Sequence, residues 1–287
     1  MRPMDLPLIP SFHPATIRQG LSLEERCQIA EAAGFSYTMV NLQEAVAVDG
    51  ERGAGAFAAL LAGHGLSAGG MSGVPASTAD PEEYARDLAA LPERCEMARS
   101  LGGSNIMHFV PNRSSMPEAE FEALTVARLA DIGAVLADFD LKLAIEWLGP
   151  KQLEDLPYPF RSGIKMALDL ADASGRSNIG ILVDPVHMWG ARQAMADIER
   201  LASGRVFAAH FDDFPEGDPD VLIDDDRIMP GDGIIDLTAF CRHTVAAGYS
   251  GSIEVELFNP AIRLGDPVEV SREAREKSEA VIAAALG

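Results

Sequence analysis

Four acidic or imidazole side chains stand one at a time at the ends of four separate apolar runs. They are Glu146 in Leu141-Lys-Leu-Ala-Ile-Glu-Trp, Asp184 in Ile181-Leu-Val-Asp-Pro, His210 in Val206-Phe-Ala-Ala-His-Phe, and Glu256 in Ile253-Glu-Val-Glu-Leu-Phe. A charged group that ends a buried strand is costly unless it finds a partner. An O, N, O, O donor set from four such ends satisfies its members jointly by holding one divalent cation. Taken singly, each residue has a plainer reading: a strand-end Glu is commonly a solvated or salt-bridged surface acid, and a His in an apolar run is commonly a hydrogen-bonded core residue. Four consecutive runs with the same terminal chemistry point instead to a metal-dependent enzyme.

The elements that must position these residues follow from periodicity. Short β-rich runs alternate with longer helical patterns. Strands are predicted over Leu8–Phe12, Ser36–Asn41, Ser67–Ser72, Asn105–Val110, Leu141–Trp147, Ile179–Asp184, Val206–Asp212 and Ser252–Phe258. Helices are predicted near Leu23–Ala33, Ala54–His64, Pro81–Leu101, Pro117–Phe139, Arg161–Ser174, Ala191–Ala202, Leu237–Ala247 and Pro267–Leu286. Gly34, Gly65, Gly102 and Gly248 fall where helices should close. Asp80-Pro81-Glu82-Glu83 has the form of an N-cap, an N1 proline and an acidic first turn.

Eight strand–helix units in 287 residues match a single α/β domain spanning residues 1–287, a (β/α)8 TIM barrel. A doubly wound sheet is the structural alternative, but no Gly-x-Gly-x-x-Gly follows any predicted strand, so a dinucleotide site has no support. In a barrel, strand C-termini converge on one face. The four residues come from the fifth to eighth strands, which places them on one side of its mouth. The stretch Phe211–Asp236, rich in Asp, Pro and Gly, is too long for an ordinary connection and is expected to cover that face.

Composition excludes several function classes. The formal charge is −21, from 23 Lys+Arg against 44 Asp+Glu. That field repels phosphate backbones, so no nucleic-acid partner is expected. No apolar run approaches the ~20 residues of a membrane span. Met1-Arg-Pro-Met-Asp-Leu-Pro has no signal-peptide character, which favours the cytoplasm. Cys27, Cys95 and Cys241 are odd in number and far apart, and read as reduced thiols. Self-association into a homo-oligomer is left open.

The segments Ala144-Ile-Glu-Trp-Leu-Gly-Pro150, Val183-Asp-Pro-Val-His-Met-Trp189, Ala209-His-Phe-Asp-Asp213, Asp226-Arg-Ile-Met-Pro-Gly-Asp-Gly233 and Val255-Glu-Leu-Phe258 together resemble the xylose isomerase-like TIM barrels. This is the sugar phosphate isomerase/epimerase superfamily. Within it, these segments resemble the inosose (2-keto-myo-inositol) isomerases of inositol catabolism. The resemblance is specific over Leu141–Phe258; earlier in the chain it rests on barrel periodicity.

It implies one divalent metal ion, Mn²⁺ or Mg²⁺ before Co²⁺ or Zn²⁺, on Glu146, Asp184, His210 and Glu256. It also implies that Glu146 and Glu256 act as acid and base on opposite faces of a keto-polyol or ketose. His187 and Arg227 match residues that bind substrate. The implied reaction is isomerisation or epimerisation by proton transfer through an enediolate, with a cation polarising the keto oxygen and an adjacent hydroxyl.

Asp212, His108 and Trp147 are secondary candidates for substrate contact, with Trp147 and Trp189 as walls for a ring. His13 also falls at a strand end, and Glu254 shares a strand face with Glu256 but takes no role from the resemblance. A lyase on the same scaffold, either a dehydratase or a decarboxylase of a keto-sugar or keto acid, is the chemical alternative. An apurinic endonuclease would need more ligands and a basic face, and a non-catalytic sugar-binding barrel would not need a filled ligand set.

Overall fold

The computed structural model describes residues 6–149, 155–201, 204–221 and 223–287. The signal-peptide reading of Met1–Asp5, Pro150 of the first resemblance segment and the end of the predicted helix at Ala202 lie outside them.

Eight parallel strands form one sheet in the order β8-β1-β2-β3-β4-β5-β6-β7. They are β1 (Leu8–Phe12), β2 (Tyr37–Asn41), β3 (Ser67–Ser72), β4 (Asn105–Val110), β5 (Lys142–Trp147), β6 (Ile179–Val183), β7 (Val206–Ala209) and β8 (Gly251–Val255). β1 pairs with β8 from Leu8↔Gly251 to Phe12↔Val255, which joins the chain's first and last strands. The remaining gap is closed by a parallel bridge, His210↔Glu254, in which Phe211 N donates to Glu254 O at 2.8 Å. The result is a nearly closed (β/α)8 barrel, as the periodicity predicts.

Local sequence chemistry sets the helices. α1 (Leu23–Ala33) opens with a Ser22/Glu25 capping box and ends at Gly34 with φ 85°. Asp80 caps α4 (Pro81–Ala89) by accepting from Glu82 N and Glu83 N. Several elements depart from expectation. The predicted helix Pro81–Leu101 is two, α4 and α5 (Leu91–Ser100), because Pro92 in the first turn of α5 cannot continue the preceding hydrogen-bond ladder. An unpredicted helix, α2 (Leu42–Arg52), starts directly from β2 on an Asn41 cap and precedes α3 (Ala56–Gly63).

α6 (Glu118–Asp138) and α7 (Ile164–Ala173) match their predicted spans within a few residues. The predicted helix Ala191–Ala202 is replaced by α8 (Pro185–Gly190) and a 3-10 turn at Met195–Arg200. α9 (Leu237–Ala246), α10 (Pro260–Arg263) and α11 (Pro267–Leu286) complete the series. No helix among the described residues is long and apolar enough to cross a membrane.

The main core fills the shell between sheet and helices. Met107, Ala144, Leu182, Phe207 and Ala208 form a separate cluster with Met39. Ala144, Leu182 and Ala208 each lie two residues before a predicted ligand, so they share its strand face one layer deeper. They are the apolar floor of the barrel mouth.

Candidate metal and substrate site

β6, β7 and β8 end just short of their functional residues. Glu146 is the penultimate residue of β5. Asp184 follows β6 and is the N-cap of α8, where its Oδ1 accepts from His187 N at 3.0 Å. His210 and Glu256 each stand one residue beyond their strands.

The four converge. His210 Nδ1 lies 3.1 Å from Glu146 Oε1, 3.6 Å from Asp184 Oδ2 and 3.4 Å from Glu256 Oε2. Asp184, His210 and Glu256 offer ligand atoms within 4.8 Å of one another, and so do Glu146, Asp184 and His187. Among the described residues, Glu146 Oε1, both ring nitrogens of His210 and Asp212 Oδ1 are buried without a hydrogen-bond partner. Buried polar atoms are rarely left in that condition. Carboxylate oxygens and an imidazole nitrogen facing one point fit a divalent cation of the hard or borderline kind.

Electrostatics express the same crowding. Burial draws the His210 imidazole down, but Glu256, Glu146 and Asp184 outweigh it and hold its pKa well above the ordinary value. Burial acts against the Asp184 and Glu256 carboxylates, yet both lie below the usual range. Arg227 and His210 prevail at Asp184, and His210 and Arg227 at Glu256. Asp212 goes the other way, pushed well up by burial despite Arg227. His13 and His108 are pulled down to about 4 by burial, which keeps both neutral at physiological pH.

A cavity of about 230 Å³ opens onto this cluster. His13, Glu146, His210 and Glu256 form its polar side, and Met39, Met107 and Phe109 its apolar side. His108 also lines it, and its Nε2 has no partner among the described residues. A larger cavity of about 660 Å³ lies between the N-terminal part of β1 and α11, at the other end of the barrel, and includes none of the strand-end residues.

Other expected contacts sit differently. Arg227 is 1% exposed and does not line the cavity. Its Nη1 donates to Asp184 Oδ2 and Glu256 Oε2 at 3.1 Å each and also to Asp212. Its Nη2 donates to Asp224 at 2.8 Å. It is therefore a buried brace for two of the clustered carboxylates, because a planar guanidinium can bridge several acids where a point charge cannot.

His187 lies beneath it. Gly149 N donates to His187 Nδ1 at 3.0 Å, and Nε2 faces Arg227 Nη2 at 3.1 Å. With Nδ1 accepting, neutral His187 carries its proton on Nε2, so two donors face each other and an acceptor oxygen would satisfy both. Asp212 is buried against Arg227 and is not in the cavity wall.

Trp147, expected as a ring wall, is a correction. It follows Glu146 and must point to the opposite face of β5. It is 1% exposed, and its Nε1 reaches His187 O at 3.4 Å. Trp189 packs edge-on against Phe214 at 5.5 Å. Residue-type reasoning missed Phe109, half exposed at the mouth, and Asp224. Phe109's alternation with Met107 along β4 was the available signal.

Glu254, left without a role, is buried in the floor layer, and its Oε1 accepts from Gly70 N at 2.5 Å. A Cβ on Gly70 would come within 2.7 Å of Glu254 Cδ and Met107 Cε, so β3 needs glycine there to admit this carboxylate.

Known proteins share this architecture. The chain is 27% identical over 165 residues to an inosose isomerase of Halalkalibacterium halodurans, covering 58% of this chain and 56% of that enzyme. It is 25% identical over 205 residues to an inosose isomerase of Bacillus velezensis, covering 71% of each. A xylose isomerase domain protein from Alicyclobacillus acidocaldarius superposes with TM-score 0.89 at 25% identity, over 97% of this chain and 99% of that one. The IOLI protein, solved with a bound zinc atom, superposes with TM-score 0.81 at 19% identity, over 98% and 99%. The family model of the xylose isomerase-like TIM barrel matches residues 27–281, and the chain belongs to that family.

Proposed function

We propose that the protein is a divalent-metal-dependent isomerase or epimerase of a keto-polyol or ketose, inosose-like in kind. The observation that carries this reading is the pair Glu146 and Glu256, whose oxygens approach His210 Nδ1 at 3.1 and 3.4 Å beside Asp184. Glu146, Asp184, His210 and Glu256 would hold the cation, and the orphaned Glu146 and His210 atoms support that assignment. Mn²⁺ or Mg²⁺ suits three carboxylates and one imidazole; the zinc in the IOLI protein keeps Zn²⁺ in the same group. When bound, such an ion supplies the positive charge that makes a C–H beside a ketone acidic enough to remove.

The chain's own residues do the rest. One of the two glutamates takes the proton from one face of the substrate, and the other returns a proton on its own side. Arg227 keeps Asp184 and Glu256 ionised and oriented. His108 offers a ring nitrogen to a substrate oxygen, and Met39, Met107 and Phe109 exclude water from one side. A dehydratase reading on the same site draws on a short match, 31% identical over 101 residues, to a 3-dehydroshikimate dehydratase of Pseudomonas aeruginosa, of which it covers 16%.

Proton NMR in D₂O with inososes, ketohexoses and keto acids, with and without Mn²⁺, tests the assignment. Solvent deuterium should enter the carbon beside the ketone with formation of an isomer. Water loss without an isomer would transfer the protein to the lyase class. Glu146→Gln and Glu256→Gln should each abolish the net reaction, with single-site exchange retained through the remaining glutamate. Near wild-type turnover in both variants with metal retained would sink the proton-transfer pair.

A further inference from the structure

His13 directly follows β1 and precedes a 3-10 turn, Pro14–Thr16. It is the N-cap of that turn, and its Nδ1 accepts from Ala15 N at 3.1 Å. A ring nitrogen that accepts from a backbone N–H has no proton of its own, so the neutral imidazole carries its proton on Nε2. That nitrogen lies 3.3 Å from Glu256 Oε1. The ring is nine-tenths buried and sits edge-on to His210, with centroids 6.1 Å apart.

The same turn also holds the backbone on either side of Glu256. Thr16 Oγ1 donates to Val255 O at 2.6 Å and accepts from Leu257 N at 3.1 Å. Arg263 Nε then ties Ala15 O to the segment after β8 at 2.6 Å. Thr16 and Val255 meet across 239 positions of sequence, so this is tertiary design and not a local turn preference.

We propose that the His13-Pro14-Ala15-Thr16 turn is the positioning element for Glu256, with His13 as a fixed-tautomer hydrogen-bond donor to its Oε1. The assignment rests on the proposed role of Glu256 as a metal-binding and proton-transferring group. Thr16 fixes the backbone on both sides of the residue. His13 then fixes the side chain, and Oε2 is turned toward His210 and Arg227. Among the described residues no clamp of this kind meets Glu146, whose Oε1 faces only His210 Nδ1, itself a member of the proposed ligand set, at 3.1 Å. The two glutamates are therefore unequal: Glu256 is held from outside the ligand set, and Glu146 depends on the cation for its orientation. His13 is a positioning residue in this scheme, acting through Glu256.

Two substitutions separate the ring's two jobs. Asn at 13 can still cap the turn, since its side-chain oxygen sits near the Nδ1 position, but it cannot reach Glu256. Gln reaches the Nε2 position and keeps the donor. His13→Asn should bind Mn²⁺ about ten-fold more weakly, the range expected when a ligand's supporting hydrogen bond is removed. Its kcat should fall more than its KM changes. His13→Gln should recover most of both losses. Mn²⁺ affinity is read from the EPR signal of free ion, without substrate, so it judges the clamp even if no ketose in the panel reacts.

Long-range ¹H–¹⁵N spectra of histidine-labelled protein with Zn²⁺ give the second readout. The signals lost in both variants should be those of an Nε2–H tautomer. An Nδ1–H tautomer at His13, or a His13→Asn protein equal to or better than His13→Gln in Mn²⁺ affinity, would overturn the proposal. A wild-type protein that exchanges no substrate hydrogen would instead count against the isomerase reading and leave the clamp to these two measurements.

Discussion

Arg227 shows how one side chain can hold an acidic site together. It is fully buried, and burial works against its charge, but Asp212, Asp184, Asp224 and Glu256 more than offset that and raise its pKa well above the ordinary value. Arg227→Lys keeps a positive charge and loses the planar fork. A single ammonium cannot serve Asp184, Asp212, Asp224 and Glu256 at once. Hydrogen bonds to charged groups contribute about 1.5–3 kcal/mol each, so the variant should lose on the order of 2 kcal/mol by urea unfolding. It should also bind Mn²⁺ more weakly, because two of its partners are proposed ligands. An unchanged urea midpoint would mean that the brace is redundant.

Much at this scale was legible in the sequence. A charged residue at the end of an apolar run is visible in one dimension, which is why Glu146, Asp184, His210 and Glu256 stood out. Trp147 was also decidable, since neighbouring residues on a strand face opposite ways. The burial of Arg227 was not legible, because it follows from the path of a loop that brings its guanidinium to Asp184, 43 positions away.

At the scale of elements, that loop is organised by a buried acid. Asp213 is fully buried, and its carboxylate accepts from Phe214 N at 2.9 Å, Gly231 N at 3.1 Å, Gly233 N at 2.9 Å and Ile235 N at 3.0 Å. Burial raises its pKa from the ordinary value, and the amides pull against that. The Pro230-Gly-Asp-Gly233 turn thus wraps one side chain, and Arg227 is carried into the site on the same loop. A Cβ on Gly233 would fall 2.1 Å from Phe214 O and 2.3 Å from Asp213 Oδ1, so this glycine is required by close approach.

Asp213→Ala would leave buried amides without an acceptor, at about 1–3 kcal/mol for each group that water cannot reach. It should destabilise the protein by about 3 kcal/mol and expose Arg227 to exchange. Gly233→Ala should act in the same direction. A thermal midpoint within a degree of wild type for both would show that the loop is held by other contacts. The sequence announced a long loop rich in Asp, Pro and Gly but not its fold, which depends on four amides reaching one acid from up to 22 positions away. The break at Ala90 and the helix α2 were likewise hidden: a proline in a first turn and an Asn cap weigh little against strong helical patterns on either side.

At the scale of the whole molecule, the barrel gathers acids that the chain's charge of −21 makes hard to keep together. Glu146, Asp184, Asp212 and Glu256 are buried or nearly so around one mouth, with Glu254 in the layer beneath and Arg227 as a buried cation among them. Self-repulsion of that kind disfavours the compact state. A divalent ion bound only by the folded chain stabilises it by mass action, about 2.7 kcal/mol when the free ion stands at 100 times its dissociation constant. For a domain of this length such a gain corresponds to a rise of several degrees in the midpoint.

Added Mn²⁺ should therefore raise the thermal midpoint in a concentration-dependent way, and Mg²⁺ should do so at higher concentration. The rise should survive 0.5 M NaCl, which screens exposed charges but not a buried ligand set. It should disappear in His210→Ala, which removes the one nitrogen ligand and leaves the surface charge untouched. A rise that persists in His210→Ala, or that vanishes in salt, would assign the effect to diffuse surface acids. The four strand ends would then be a structural cluster and not a metal centre.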